Sequence, residues 1–316
     1  MEVMKPENNI FPILSVQTTY QCNMACANCY LGDMLNNDEY ADLNMSMFKE
    51  VISKLPKRTD IRFIGAEPTM NDDLFEMIKI VKKYKHRPQI LTNGLKLGQE
   101  QYVIDLKKSG LNWLGLSMNG GLDDKVYKKF DNGKYAKLKT RALEYCIKHK
   151  IVPHINIILD PTNLHIIKPL YDKIIELCNK YNRRIGISFP LTIRIKSIAK
   201  MGNYLDTYTY NMDELIKIAK DNFGNNLQFN FEMDGLVEKS SCVYSFDTPI
   251  GKMGGKITDW TIDDDGIPLS DSKRRGILTE EGMIMSFFDY YADEVEGPRK
   301  TESEKMQDEL EPIYEE

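Results

Sequence analysis

Three cysteines lie within eight residues of one another near the start of the chain. Cys22, Cys26 and Cys29, the cysteine triplet, have the spacing C-x3-C-x2-C and make up half of the six cysteines of the chain. Thiolates favour zinc, iron–sulfur clusters and copper(I). A structural zinc site normally needs a fourth ligand, but the first histidine is His86 and the next cysteine is Cys146. Three thiolates suit a metal or cluster with one open coordination position, and the spacing alone leaves zinc as an alternative.

Segments with the pattern of strands alternate with segments of helical pattern over the first two thirds of the chain. The predicted strands are 13–19, 60–66, 88–94, 113–120, 152–159 and 184–190, and the predicted helices are 45–55, 71–85, 99–110, 137–150 and 163–181. This alternation predicts parallel strands with right-handed crossovers. Six such units predict an α/β fold, a partial (β/α)6 TIM-like barrel with a C-terminal extension. Periodicity alone leaves a doubly wound sheet open.

The alternation weakens after about residue 200, and three regions are predicted. Residues 1–204 form the core barrel, and residues 205–290 form an extension that closes the barrel and carries a helix at 212–224. Residues 291–316 are acidic and poor in apolar residues, which is typical of a flexible tail. A functional acidic arm is the alternative for this last region.

The cysteine triplet lies directly after the first predicted strand, at its carboxyl end. Ligands bind at this edge of the sheet in parallel α/β folds. The run C-N-M-A-C-A-N-C-Y, residues 22–30, resembles the cluster loop of radical S-adenosylmethionine (SAM) enzymes. The resemblance implies that the three thiolates bind three irons of a [4Fe-4S] cluster and that SAM chelates the fourth iron. Tyr30 follows the last cysteine, at a position that is usually aromatic in that family.

The second predicted strand ends in GAEPT, residues 65–69, which resembles the GGEP motif of the same family. That motif lies near the methionine amino group of SAM, so the resemblance assigns Gly65, Ala66, Glu67 and Pro68 to SAM binding. A glycine lets the backbone approach a ligand closely, and Ala66 replaces the second glycine of the motif. Taken alone, GAEPT is typical of a strand-to-helix turn.

The third and fourth predicted strands end in TNG and LSMNG, which also match the family's strand ends. The resemblance implies that Asn93, Ser117 and Asn119 face the ribose or the carboxylate of SAM. Asn156, on the fifth predicted strand, is a further candidate for that role. Taken singly, each of these residues is typical of a turn, because N-G is a common turn signal.

Membership of this family implies a defined reaction and defined partners. A reduced cluster passes one electron to SAM, which breaks into methionine and a 5'-deoxyadenosyl radical, and the radical abstracts a hydrogen atom from the substrate. The protein orients the cofactors and excludes competing reactions. The expected partners are a small-molecule or peptide substrate and an electron donor such as flavodoxin or ferredoxin.

The C-terminal region carries one cysteine, Cys242, after residue 180. One cysteine cannot hold a second cluster, so a single-cluster enzyme is predicted, without a cysteine-rich auxiliary domain. In relatives that invert a stereocentre, a cysteine thiol returns a hydrogen atom to the substrate radical. Cys242 is therefore a candidate hydrogen-atom donor, and it favours epimerisation over dehydrogenation or rearrangement. The alternative is that Cys242 is a small buried apolar residue.

Composition and charge exclude several other classes of protein. The net charge is −5 with both signs intermixed, so no nucleic-acid partner is indicated. No apolar run reaches the ~20 residues of a membrane span, and no signal peptide precedes the first strand. A cytoplasmic location is therefore expected. The rival to an enzyme is a non-catalytic module that binds zinc or a cluster and has kept the fold.

Overall fold

In a computed structural model of the protein, the described residues are 3–56, 58–198, 203, 207–230, 232–233, 236–237, 241–259, 274–287 and 290. The predicted acidic tail, residues 291–316, lies outside the described residues.

Six parallel strands form the centre of an open sheet, and each pairs with the next one along the chain. They are β1 (Ile13–Gln17), β2 (Asp60–Ile64), β3 (Arg87–Thr92), β4 (Trp113–Ser117), β5 (Val152–Ile158) and β6 (Thr192–Lys196). The predicted α/β fold with a partial barrel is confirmed, and the sheet does not close.

The sixth strand lies later in the chain than the sequence pattern predicts. Residues 184–190 were expected to form it, but Gly186 and Phe189 exchange backbone hydrogen bonds of 3.0 and 3.2 Å in a tight turn. The strand begins at Thr192, after Pro190, which has no N–H to donate to a neighbouring strand. The prediction was therefore wrong about which residues form the sixth strand, although the place of that strand in the strand order was correct.

Helices connect the strands and cover one face of the sheet. They are α1 (Met45–Lys54), α2 (Leu74–Lys83), α3 (Glu100–Ser109), α4 (Asp124–Phe130), α5 (Ala136–Lys148), α6 (Ile167–Lys180) and α7 (Met212–Phe223). The Asn44 side chain caps α1 by accepting from the backbone N–H of Met47, and α3 ends at Gly110 with φ of 109°. None of the described helices is both long and apolar enough to cross a bilayer.

Strands from the C-terminal region extend both edges of the open sheet. At one edge, β11 (Gly251–Thr258) runs parallel to β6, and β10 (Ser241–Thr248) and β7 (Gln228–Asn230) follow. At the other edge, β12 (Arg275–Leu278) runs parallel to β1 and antiparallel to β13 (Ile284–Ser286). A separate pair consists of β8 (Glu232–Met233) and β9 (Leu236–Val237).

The two faces of the sheet differ in chemistry because side chains alternate along each strand. Val16 and Phe63 belong to the apolar core beneath the helices, and both are fully buried. The opposite face, called here the interior face, carries Ile64, Ser117 and Lys196 at the carboxyl ends of their strands. The interior face is therefore the one that can meet a ligand.

Two adjacent glycines of β11 differ in how closely neighbouring atoms pack against them. A Cβ at Gly255 would lie 2.1 Å from the carbonyl oxygen of Ile193 and 2.2 Å from the Tyr244 ring. Tyr244 is buried, and its hydroxyl donates to the same Ile193 carbonyl at 2.7 Å. A Cβ at Gly254 would approach nothing closer than 3.5 Å. Of these two glycines, Gly255 is therefore the one that close packing between β6, β10 and β11 requires.

We expect Gly255→Ala to destabilise the fold by about 1–3 kcal/mol, because the added methyl group must displace buried backbone or Tyr244. Gly254→Ala is the matched control, and it should be neutral or stabilising by up to about 1 kcal/mol. Urea unfolding monitored by circular dichroism measures both changes. Equal unfolding midpoints for the two variants would contradict this packing.

Candidate active site

A cavity of about 250 Å³ opens at the carboxyl ends of the parallel strands, and Cys22, Cys26 and Cys29 all line it. Each of the strands β2 to β6 also contributes a residue from its carboxyl end or the position next to it: Ile64, Leu91, Ser117, Ile158 and Lys196. The structure therefore brings the cysteine triplet to the edge of the sheet at which parallel α/β folds bind ligands.

Backbone hydrogen bonds hold the cysteine loop against the strand ends. The N–H of Glu67, just beyond β2, donates to the carbonyl of Gln21 at 3.1 Å, and the N–H of Ala27 donates to the carbonyl of Phe130 at 2.9 Å. The N–H of Cys22 donates to the side-chain oxygen of Asn36 at 2.7 Å. The loop is thus fixed to β2 on one side and to α4 on the other.

Burial shifts all three thiols of the cysteine triplet in the same direction. Burial raises the pKa of Cys22 to about 11. It also raises the pKa of Cys26, and the nearby Asp131 carboxylate adds to that shift. The pKa of Cys29 is raised by burial as well. Without a metal, the thiols are protonated at neutral pH, so metal binding must displace their protons.

The donor set in the cavity fits an iron–sulfur cluster. The other acidic groups that line the cavity already have partners: Glu67 accepts several hydrogen bonds, and Asp131 pairs with Lys139 at 3.1 Å. In a cluster each thiolate ligates a different iron, whereas the ligands of one ion surround a single point. In the described part of the chain, no group of three or more His, Cys, Asp or Glu side chains forms a single-ion site.

Gly65 brings the end of β2 close to the cysteine loop. Its φ is 150°, and a Cβ there would lie 2.6 Å from the carbonyl oxygen of Thr19, so this position requires glycine. Ala66 is not among the residues with positive φ, and its N–H donates to the same Thr19 carbonyl at 2.9 Å. Alanine is therefore accommodated at the position where the family motif has its second glycine.

Glu67 joins the ends of β2 and β3 through its buried carboxylate. Its Oε1 accepts from the hydroxyl and the backbone N–H of Thr69, at 2.7 and 3.1 Å, and from the Thr92 hydroxyl at 2.7 Å. Its Oε2 accepts from the backbone N–H of Asn93 at 2.7 Å. Four hydrogen bonds of this kind fix the orientation of the carboxylate and make Glu67 a positioning residue.

The other residues predicted to bind SAM divide into two groups. Tyr30, Asn93, Ser117 and Asn119 line the cavity together with Gly65, Ala66 and Glu67. Pro68 and Asn156 do not line the cavity. Pro68 begins a buried 3-10 turn after β2, and the Asn156 amide donates to the His154 carbonyl at 3.1 Å.

The cavity-lining tyrosine and asparagines have defined hydrogen bonds. Tyr30 donates its hydroxyl to the Gly65 carbonyl at 3.4 Å. The Asn93 amide donates to the Asn23 side chain at 2.8 Å and lies 3.8 Å from Cys22 Sγ. Asn119 accepts from the N–H of Ile158 at 3.0 Å. Asn93 therefore contacts a sulfur of the cysteine triplet, and hydrogen bonds to such sulfurs tune a cluster's potential.

A buried ion pair in the cavity was missed by the sequence reasoning. Lys139 Nζ donates to Asp131 at 3.1 Å and to the Ser117 carbonyl at 3.1 Å, and it lies 4.9 Å from the centre of the Tyr127 ring. Both charged side chains are fully or almost fully buried. The sequence signal that indicates such a pair is Lys139 itself, a charged residue that shares the apolar stripe of α5 with Ala142.

Cys242 lies away from the cavity. It pairs in register with Ile257 of β11, which pairs with Ile195 of β6, and Ile195 belongs to the core beneath the helices. Its Sγ lies 3.8 Å from the sulfur of Met212 in α7. The thiol therefore faces the helix layer, and the structure does not bring Cys242 together with the cysteine triplet.

A family model described as the radical SAM superfamily matches residues 16–174, which is half of the chain. The chain belongs to the radical SAM superfamily. This confirms the prediction made from the cysteine loop and the strand ends, and with it the cofactors, a [4Fe-4S] cluster and SAM.

Curated relatives of this radical SAM protein catalyse different reactions. A probable GTP 3',8-cyclase of Methanococcus aeolicus is 25% identical over 214 residues, 64% of each chain. An Fe-coproporphyrin III synthase of Methanosarcina barkeri is 28% identical over 52% of this chain and 41% of its own. A 7,8-dihydro-6-hydroxymethylpterin dimethyltransferase of Methanocaldococcus jannaschii is 28% identical over 48% of this chain and 30% of its own. The chain thus spans 30% to 64% of these relatives.

Solved structures resemble this radical SAM protein in fold. The crystal structure of Streptococcus suis SuiB bound to the precursor peptide SuiA has a TM-score of 0.51 and 15% identity, and covers 66% of this chain and 44% of that one. SuiB without the peptide has a TM-score of 0.50. At this identity the likeness concerns the fold alone.

We expect Glu67→Gln to destabilise this radical SAM protein by about 1–3 kcal/mol, because the new amide NH₂ must face a group that itself donates. SAM affinity should fall with it, since the strand ends that Glu67 joins line the cavity. Thermal unfolding and equilibrium dialysis with labelled SAM measure the two effects. Glu76→Gln, on the exposed face of α2, is the matched control, and equal behaviour of the two variants would refute the positioning role of Glu67.

Proposed function

We propose that this radical SAM enzyme abstracts a hydrogen atom from a small-molecule or peptide substrate bound against the interior face of the barrel. The observation that carries the proposal is the placement of all three thiols of the cysteine triplet in one cavity at the strand ends. When bound, the reduced cluster and SAM supply a 5'-deoxyadenosyl radical. The chain's own residues bind these cofactors, orient them and separate the reaction from water.

Each group of cavity residues has a separate task in this proposal. Cys22, Cys26 and Cys29 hold the cluster. Gly65 lets the end of β2 pack against Thr19 because it has no Cβ, and its backbone lines the cavity proposed for SAM. Asn93 and Ser117 offer polar groups to the ribose or carboxylate of SAM. The substrate then occupies the interior face below SAM.

The reaction that follows hydrogen abstraction is proposed only at the level of class. Epimerisation, dehydrogenation and rearrangement all begin with the same abstraction, and the preference for epimerisation depended on Cys242 alone. The role of Cys242 as hydrogen-atom donor stays a prediction. Its contact with Met212 in the helix layer does not support that role.

Reduction of the cluster requires an electron donor, for which we propose a small carrier such as flavodoxin or ferredoxin. The three cysteines are partly exposed rather than fully buried. A carrier that docks over residues 22–30 would therefore approach the cluster closely.

Anaerobic reconstitution separates the enzyme from a non-catalytic zinc- or cluster-binding module. The enzyme should bind about four irons per chain and form 5'-deoxyadenosine from SAM with dithionite. Cys26→Ala should lose iron and abolish SAM cleavage. Cys178→Ala, which alters a buried cysteine of α6 outside the cavity, should retain both. One zinc per chain without SAM cleavage would overturn the proposal in favour of the module.

A further inference from the structure

Positive charge accumulates on the interior face below the cavity. Lys196 lines the cavity, and Arg194 lies two residues before it on β6, so both side chains point to the same side of the strand. Likewise, Arg62 lies two residues before Ile64 on β2, so its side chain points to the same side as Ile64, which lines the cavity. Two strands on opposite sides of the barrel thus direct cations into its interior.

The C-terminal region adds a further arginine to this face. Ile277 of β12 packs against Ile64 in a small apolar cluster, which places Ile277 on the interior face. Arg275 precedes Ile277 by two residues and pairs in register with Ile13 of β1. Arg62, Arg194, Lys196 and Arg275 are called here the barrel cations.

Contacts and electrostatics place the barrel cations near one another. The Arg62 guanidinium donates to Gln89 at 3.1 Å, and that of Arg194 donates to the Thr258 hydroxyl at 2.9 Å. Burial and the charges of Arg194, Arg275 and Arg62 all lower the pKa of Lys196. Each of the three guanidinium groups therefore lies within electrostatic reach of Lys196.

A histidine deeper in the barrel lies in the same positive electrostatic potential. His154 of β5 contacts the Thr192 hydroxyl at 2.6 Å, on the interior side of the sheet. Burial, together with the charge of Arg62, lowers the pKa of His154 to about 4. The imidazole is therefore neutral at physiological pH, and the barrel cations provide the charge of the interior.

Carboxylates are nearly absent from the strand positions whose side chains point to the interior face. On β1 to β6 and β12, Asp60 is the one carboxylate at an interior position, and it forms an ion pair with Arg87 at the amino end of the sheet. Arg62, Arg194 and Lys196 lie nearer the carboxyl ends of their strands, and therefore nearer the cavity, than Asp60 does. The interior face is therefore built to attract negative charge.

We propose that the substrate is an anionic small molecule whose phosphate or carboxylate group binds among Arg62, Arg194, Lys196 and Arg275. Guanidinium groups match the geometry of both oxyanions through paired hydrogen bonds. An anion in this position would lie below the cavity that the cysteine triplet lines. The inference rests on the proposed function, because it treats the ligand of this face as the substrate.

Equilibrium dialysis of the holoenzyme tests the anion site directly. The reconstituted protein, saturated with SAM, is dialysed anaerobically against ³²P-labelled inorganic phosphate or ¹⁴C-labelled succinate at constant ionic strength. Saturable binding of one anion per chain is expected for at least one probe. Preference for phosphate identifies a phosphorylated substrate, and preference for succinate identifies a carboxylate substrate.

Charge variants locate the bound anion. Arg194→Gln and Arg62→Gln should each weaken binding by about tenfold or more, because each removes a unit charge in a medium of low dielectric constant. Arg194→Lys retains the charge but loses the paired hydrogen bonds, so it should bind more weakly than wild type and more tightly than Arg194→Gln. Lys79→Gln, on the exposed surface of α2, should have no effect.

Two results would overturn the inference: neither anion binds saturably, or both glutamine variants, folded by circular dichroism, bind as wild type does. SAM cleavage with dithionite, measured in parallel on the wild-type protein, keeps the two proposals separate. Anion binding without SAM cleavage would reject the proposed function and leave the anion site standing. SAM cleavage without anion binding would reject the anion site alone.

Discussion

A trio of partly buried thiols, with no fourth cysteine or histidine among the described residues that line the cavity, is the constraint on which the rest of the site depends. Three thiolates can satisfy three irons of a cluster, and the remaining iron needs a ligand from outside the protein. The two other acidic groups in the cavity, Glu67 and Asp131, already have hydrogen-bond or ion-pair partners. The carboxyl ends of the parallel strands then decide what else can reach that iron, because they surround the same cavity.

Charge is distributed in two layers around this centre. At the strand ends, Glu67 and the Asp131–Lys139 pair balance charge locally and fix the loops that hold the cysteine triplet. Deeper in the barrel, Arg62 and Arg194 make the interior face cationic. In the proposed account, the first layer fixes the loops around the cofactors, and the second selects the charge of the substrate. Lys196 belongs to both sites because it lines the cavity, but cofactor binding and substrate choice otherwise depend on different residues.

The sequence alone was sufficient for the family, the open parallel barrel and the cysteine triplet, because these follow from local spacing and strand–helix alternation. The alternation also predicts the strand order, but it assigns residues 184–190 to the sixth strand because an apolar turn resembles a short strand. Lys139 and Lys196 were missed, since their importance arises from partners on distant segments. The side toward which Cys242 points depends on the pairing of β10 with β11, which periodicity does not specify.

Electron–nuclear double resonance on the reduced, reconstituted protein tests the central claim most directly. SAM labelled with ¹⁵N in its amino group and ¹⁷O in its carboxylate is bound to the cluster. Hyperfine coupling from both labels is the predicted result, because it requires SAM to ligate the iron that the thiolates leave open. Absence of coupling from both labels with SAM bound, together with a protein atom on that iron, would contradict the account.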